Sequence, residues 1–113
     1  MNTPLLSISC KDYADLRRGG SDYFLLDVRT DTEWLSGHMD EAVHIPLDHL
    51  PNGIEDLVPA KYAPLIICSE RGERAQEAAL ILEKVGYTDI RFLEGGYLGY
   101  CELTSDLSTT KSS

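Results

Sequence analysis

Long apolar runs are missing from this 113-residue chain. Its apolar runs, such as "YFLL" (23–26) and "PLII" (64–67), fall far short of the roughly 20 residues that a membrane-spanning helix needs, which excludes such a helix. No basic segment followed by an apolar one opens the N-terminus, so no export signal is expected. An excess of positive charge is missing too, since 19 Asp and Glu oppose 10 Lys and Arg for a formal net charge of −9. A field of that sign repels phosphate backbones and anionic lipid, so neither nucleic acid nor a membrane surface is an expected partner. Cysteine is scarce: Cys10, Cys68 and Cys101 form no C-x-x-C pair, and any disulfide leaves one thiol over. That usage suits a reducing, cytoplasmic setting, and nothing in the sequence supports a Cys10–Cys101 bond. Internal repeats are absent.

What is present suffices for one core, at 42% hydrophobic residues. Short apolar runs alternate with helical patterns, which predicts an α/β domain with a mostly parallel sheet of about five strands and helices on both faces. "LLSIS" reads as a first edge strand, and "KDYADLRRGG" as a helix with Tyr13, Leu16 and Arg17 on one face and Gly19-Gly20 as its stop. "YFLLDV" is the next strand. Thr30 and Glu33 then match a capping box at the start of a short helix that Gly37 stops. "AVHIPL" is a third strand, followed by a turn-rich connection with Pro51, Asn52, Gly53 and Pro59. "PLIIC", apolar on both faces, is the expected central strand. The helix after it places Ala75, Ala78, Ala79, Leu82 and Val85 on one face and ends at Gly86. "IRFL" is the last strand and "EGGYLGYCEL" turns into a short terminal helix. Residues 1–104 are expected to form a single domain, and 105–113, small and polar, a flexible tail.

The segment "CSERGER" (68–74) joins the central strand to the clearest helix. Ligands of open parallel sheets bind at the carboxyl ends of strands, where helix N-termini offer unpaired amides and a partial positive charge. A thiol placed there has its pKa lowered, and Arg71 or Arg74 would add to the effect. Gly72 lets the loop turn its amides toward a common centre, and Ser69 offers a hydroxyl donor to it. Cys68 is therefore the candidate nucleophile. It also fits the plainest description of a free cysteine, a small buried residue ending a strand. The polar, glycine-bearing, doubly arginine-bearing loop is what such a residue would not need. His38, His44 and His49 lack the spacing of a metal-ligand set. Trp34 and Tyr97 read as packing residues.

Three segments, "LLDVRTDTEWLSGHMDEAVHIPL", "IICSERGERAQEAALILEKVGY" and "RFLEGGY", resemble in order and spacing the signature segments of the rhodanese-like domain, over about 23–100. The resemblance implies a three-layer domain whose loop cradles a cysteine persulfide, and sulfurtransferase activity in which Cys68 takes a sulfane sulfur from a donor such as thiosulfate and passes it to a thiol or cyanide. A protein sulfur acceptor also fits. The loop residues Ser69, Glu70, Arg71, Gly72, Glu73 and Arg74 would then bind the anionic donor and stabilise the persulfide. Asp27 and Arg29 are implied to hold the fold near the site, with Glu33 as the expected partner of Arg29. His38 is implied to be structural, and Gly95 and Gly96 a backbone turn. No metal or organic cofactor is implied.

One departure stands out. Common single-domain sulfurtransferases of this family place the loop arginine five positions after the cysteine, whereas Arg74 is six positions after Cys68. The loop therefore reads as one residue longer, a spacing similar to that of phosphatases and arsenate reductases of the same fold. Against them, Ile67 stands where those phosphatases usually carry histidine, and Glu70 and Glu73 offset the two arginines. A non-turnover protein-binding or persulfide-carrier module is the third reading.

Overall fold

The computed structural model describes residues 5–112, with side chains over 5–105. Five strands, β1 (Leu6–Ile8), β2 (Phe24–Asp27), β3 (Val43–His44), β4 (Leu65–Cys68) and β5 (Ile90–Leu93), are interspersed with five helices, α1 (Cys10–Gly19), α2 (Asp31–Leu35), α3 (Ile54–Leu57), α4 (Glu73–Lys84) and α5 (Gly96–Ser112). The strands make one sheet in the order β1-β5-β4-β2-β3, with every neighbouring pair parallel. The α/β architecture is the expected one, with β4 at its centre and the "LLSIS" strand at an edge.

Alternation along the strands divides the interior into two cores. Leu65 and Ile67 of β4 pack with Leu26, Val28, Ile54 of α3 and the Ala75, Ala78, Ala79 and Leu82 face of α4. Ile66 and Cys68 point to the opposite side of the sheet, among Leu25, Leu93, Tyr13 of α1 and Tyr100 of α5. A strand covered on both faces must be apolar at every position, which is why "LIIC" carries no polar residue before the loop.

Local signals set the helix ends. The Ser9 side chain accepts from the Asp12 amide at the start of α1, and Gly20, at φ 72°, closes it. Thr30 and Glu33 form the capping box that opens α2. The connection read as turns instead holds a 3-10 turn (Leu47–His49) and α3. At four residues α3 is too short for a helical period to show in the sequence. The terminal helix α5 is longer than expected, because no glycine or proline follows Gly99 to stop it. Most of the side chains of the tail expected from 105 lie outside the described residues. Among the described residues no helix is long and apolar enough to cross a membrane.

Candidate functional site

The loop between β4 and α4 lies at the carboxyl end of the central strand, as expected, but it is not built around Cys68. That residue is the last of β4, registered against Asp27 of β2. Strand alternation turns its side chain into the core beneath the sheet, where 1% of the residue is exposed. Its thiol lies 3.6 Å from the Ser69 carbonyl oxygen. Burial, followed by the Asp27 carboxylate, pushes the Cys68 thiol up, with the Arg29 guanidinium opposing them. The sequence led to the reverse expectation. The helix that was to lower the pKa begins only at Glu73, and the loop amides that were to face the thiol face another atom.

That atom is the hydroxyl oxygen of Ser69, which is fully buried. It accepts from the Gly72 amide at 3.0 Å and from the Ala75 amide at 3.1 Å. Gly72 makes this inward turn in the left-handed region, at φ 116°, where a side chain would be strained. Ser69, expected to donate to the cradle, is thus the acceptor at its centre. Arg74 lies five positions after Ser69. Counted from the residue that the amides surround, the loop has the ordinary spacing and no extra residue. Two signals in the sequence pointed this way: the count back from Arg74, and the alternation that puts Cys68 on the same side of the strand as Ile66.

The outer rim of the loop is joined to α5. The Tyr97 amide donates to the Ser69 carbonyl at 2.8 Å and the Leu98 amide to the Glu70 carbonyl at 3.1 Å. The free amides of the first turn of α5 are therefore satisfied by the loop. Gly96 is the point of closest approach, since a Cβ there would lie 2.5 Å from both carbonyl oxygens. The sequence showed a turn at Gly95-Gly96 but not this contact.

Charges around the loop pair differently from expectation. Arg29, 1% exposed, bonds Asp27 through Nε, at 3.1 Å to each carboxylate oxygen. It also donates to Glu70 at 3.2 Å, to the Gly37 carbonyl at 2.7 Å and to the Glu33 carbonyl at 3.2 Å. Its guanidinium stacks 4.2 Å from the Tyr97 ring centre. It meets Glu33 only through the backbone, because the Glu33 carboxylate holds Arg74 by two bonds of 2.8 and 2.9 Å. Asp27 and Arg29 therefore brace the ends of β2, α2 and the loop. Arg71 is exposed, 3.7 Å from Glu102, and Glu73 is exposed in the first turn of α4. Neither arginine named as an anion binder points a free guanidinium into the loop. Trp34 stacks on His38, with ring centres 3.4 Å apart, and on His44, at 4.6 Å, so Trp34 and His38 pack as expected and His44 joins them. Cys10, Cys68 and Cys101 are free thiols.

The hydrogen bonds from Arg74 hold the Glu33 carboxyl down at about 2, below its ordinary 4.5. A group depressed on folding contributes stability above its unfolded pKa and loses it as pH falls through the folded one. Glu33→Gln is therefore expected to cost about 1–2 kcal/mol near neutrality, as a partly exposed bidentate pair. The gap between the two melting temperatures should close as pH falls from about 4.5 towards 2. A gap independent of pH would refute the assigned pair.

The match of known proteins to this fold is broad. The family model described as the rhodanese-like domain matches residues 9–103. The adenylyltransferase and sulfurtransferase MOCS3 of Caenorhabditis briggsae is 29% identical over 101 residues, 83% of this chain and 25% of that protein. The probable adenylyltransferase/sulfurtransferase MoeZ of Mycobacterium tuberculosis is 30% identical over 98 residues, 85% of this chain and 24% of that one. The tRNA uridine(34) hydroxylase of Escherichia coli is 26% identical over 89 residues, 75% and 25% of the two chains. The chain thus spans about a quarter of the curated relatives it matches. Among solved structures, a rhodanese-like domain protein from Staphylococcus aureus superposes with a TM-score of 0.73 at 26% identity, covering 85% of this chain and 91% of that one. A family model spanning most of the described residues, on a parallel sheet whose central strand opens into an amide-lined loop, leaves one conclusion: this chain belongs to the rhodanese-like domain family.

Proposed function

We propose that this chain is a protein-binding rhodanese-like module that does not turn over thiosulfate. One observation carries the reading: the loop amides surround the Ser69 hydroxyl, while the Cys68 thiol is buried on the far side of the strand. Sulfur transfer needs a thiolate to attack the donor and hold the sulfane sulfur as a persulfide. A buried alcohol that accepts two amide hydrogen bonds and, among the described residues, is bonded to no side-chain base is a poor nucleophile. The same lack of a thiolate in the cradle removes support for phosphatase or arsenate reductase chemistry. Arg29 and Arg74 are already held by carboxylates of the chain itself, so capturing a dianion would first have to break those pairs.

The sulfurtransferases named among the relatives favour a second reading, in which sulfur transfer proceeds on Cys68. It requires the end of β4 to rotate the thiol out of the core.

Intact-protein mass spectrometry after incubation with thiosulfate separates the two. The native chain is expected to keep its mass, and Ser69→Cys to gain one sulfur atom that cyanide removes. A sulfur adduct on the native chain that Cys68→Ala abolishes would overturn the proposal. So would a folded Ser69→Cys variant that acquires no sulfur, because the cradle would then not be the sulfur site.

A further inference from the structure

If the domain is a binding module, its partner must meet a surface, and the structure offers one beside the loop. A groove of about 640 Å³ lies between α4 and the segment that carries the 3-10 turn. Leu47, Leu50 and Ile81 form its apolar lining, and Asp31, Asp48 and Glu77 its charged rim. Arg74, Glu77 and Ile81 lie on one side of α4 by their spacing of three and four residues, so the groove runs along that helix away from the loop arginine.

We infer that this groove receives a basic, leucine-bearing peptide segment of a partner protein. The inference rests on the reading of the domain as a binding module. Charge complementarity selects this occupant. Asp31 and Asp48 have side chains 85% and 88% exposed, and the imidazoles nearest them, His44 and His49, are 4.0 and 3.9 Å away. Arg74, the lining cation of the groove, is neutralised by Glu33. The rim therefore presents three carboxylates around an apolar floor, and His49 is the remaining titratable group on it. A partner side chain that is cationic at its tip and aliphatic along its stem satisfies both parts at once. A second copy of the chain, with net charge −9, brings like charge to the same rim and is opposed.

The test uses the whole chain and a short fluorescein-labelled peptide that alternates lysine and leucine, with a lysine–serine and a glutamate–leucine peptide as counterparts. The lysine–leucine peptide should bind saturably and bind tightest, with amide shifts centred on Leu47, Leu50 and Ile81. Asp31→Asn, Asp48→Asn and Glu77→Gln combined should weaken it about tenfold, roughly twofold for each exposed charge pair. Removing the same charge at Asp22, Asp40 and Glu83 should leave the affinity nearly unchanged. Equal weakening by both sets, equal binding of the serine or glutamate peptide, or sedimentation showing self-association through the groove would each overturn the inference. The sulfur-labelling experiment is unaffected by any of these outcomes, so failure of the groove and failure of the silent-loop reading are read separately.

Discussion

Replacing Gly96 with alanine is expected to unfold the protein or to destabilise it by about 3 kcal/mol or more, among the largest effects of any single added methyl group. Two independent causes act together. Gly96 sits at φ 65°, a conformation that side-chain-bearing residues rarely take. The new Cβ would also fall 2.5 Å from the carbonyl oxygens of Ser69 and Glu70, which are backbone atoms and cannot rotate away. Relief requires the loop and the first turn of α5 to separate, and that breaks the bonds from the Tyr97 and Leu98 amides. Gly19→Ala is the matched control, with nothing within 4 Å of the added carbon, and it should melt close to the native temperature. Thermal denaturation followed by circular dichroism decides the matter, and a Gly96→Ala variant as stable as the control would show that the loop and α5 are not in this contact.

The second large effect is expected at Arg29. Its guanidinium ties Asp27, Glu70 and the carbonyls of Glu33 and Gly37 together, and both it and Asp27 are 1% exposed. Arg29→Ala leaves the Asp27 carboxylate buried without its cation, a loss of about 3–5 kcal/mol. Arg29→Lys should recover little of it, since a single ammonium cannot reach four acceptors that a planar fork serves at once. Removing both charges, as Asp27→Asn with Arg29→Met, should cost less than Arg29→Ala alone, because no unpaired ion is left in the interior. Urea denaturation of the three variants measures these differences. An Arg29→Ala variant within about 0.5 kcal/mol of the native chain would mean that Asp27 finds another partner.

The environments of Arg29 and Gly96 were only partly legible in the sequence. The family resemblance implied Asp27 and Arg29 as scaffold near the loop, with Glu33, four positions away, as the partner of Arg29. The carboxylate of Glu33 is drawn instead to Arg74, 41 residues on. Gly96 was legible as a turn, since glycine pairs mark turns wherever they occur. That the turn presses on another backbone segment depends on β4 and β5 lying side by side.

The order of the strands and of the helices other than α3, the central place of β4, the capping box at Thr30 and the glycine stops were determined by the sequence alone. Each depends on interactions within a few residues: the period of apolar positions, a side chain reaching a nearby amide, a backbone that must turn left-handed. Tertiary structure decided which atom occupies the cradle and which charges remain available. Cys68 and Ser69 are neighbours in the chain, and one step along a strand reverses the face to which a side chain points. The packing of α1 and α5 against the sheet commits the thiol to the core and leaves the hydroxyl among the loop amides. The arginines of the site are likewise committed: the fold sets Glu70 against Arg29, which Asp27 already holds, and Glu33 against Arg74, and a buried guanidinium such as that of Arg29 is favourable only when an opposite charge is held against it.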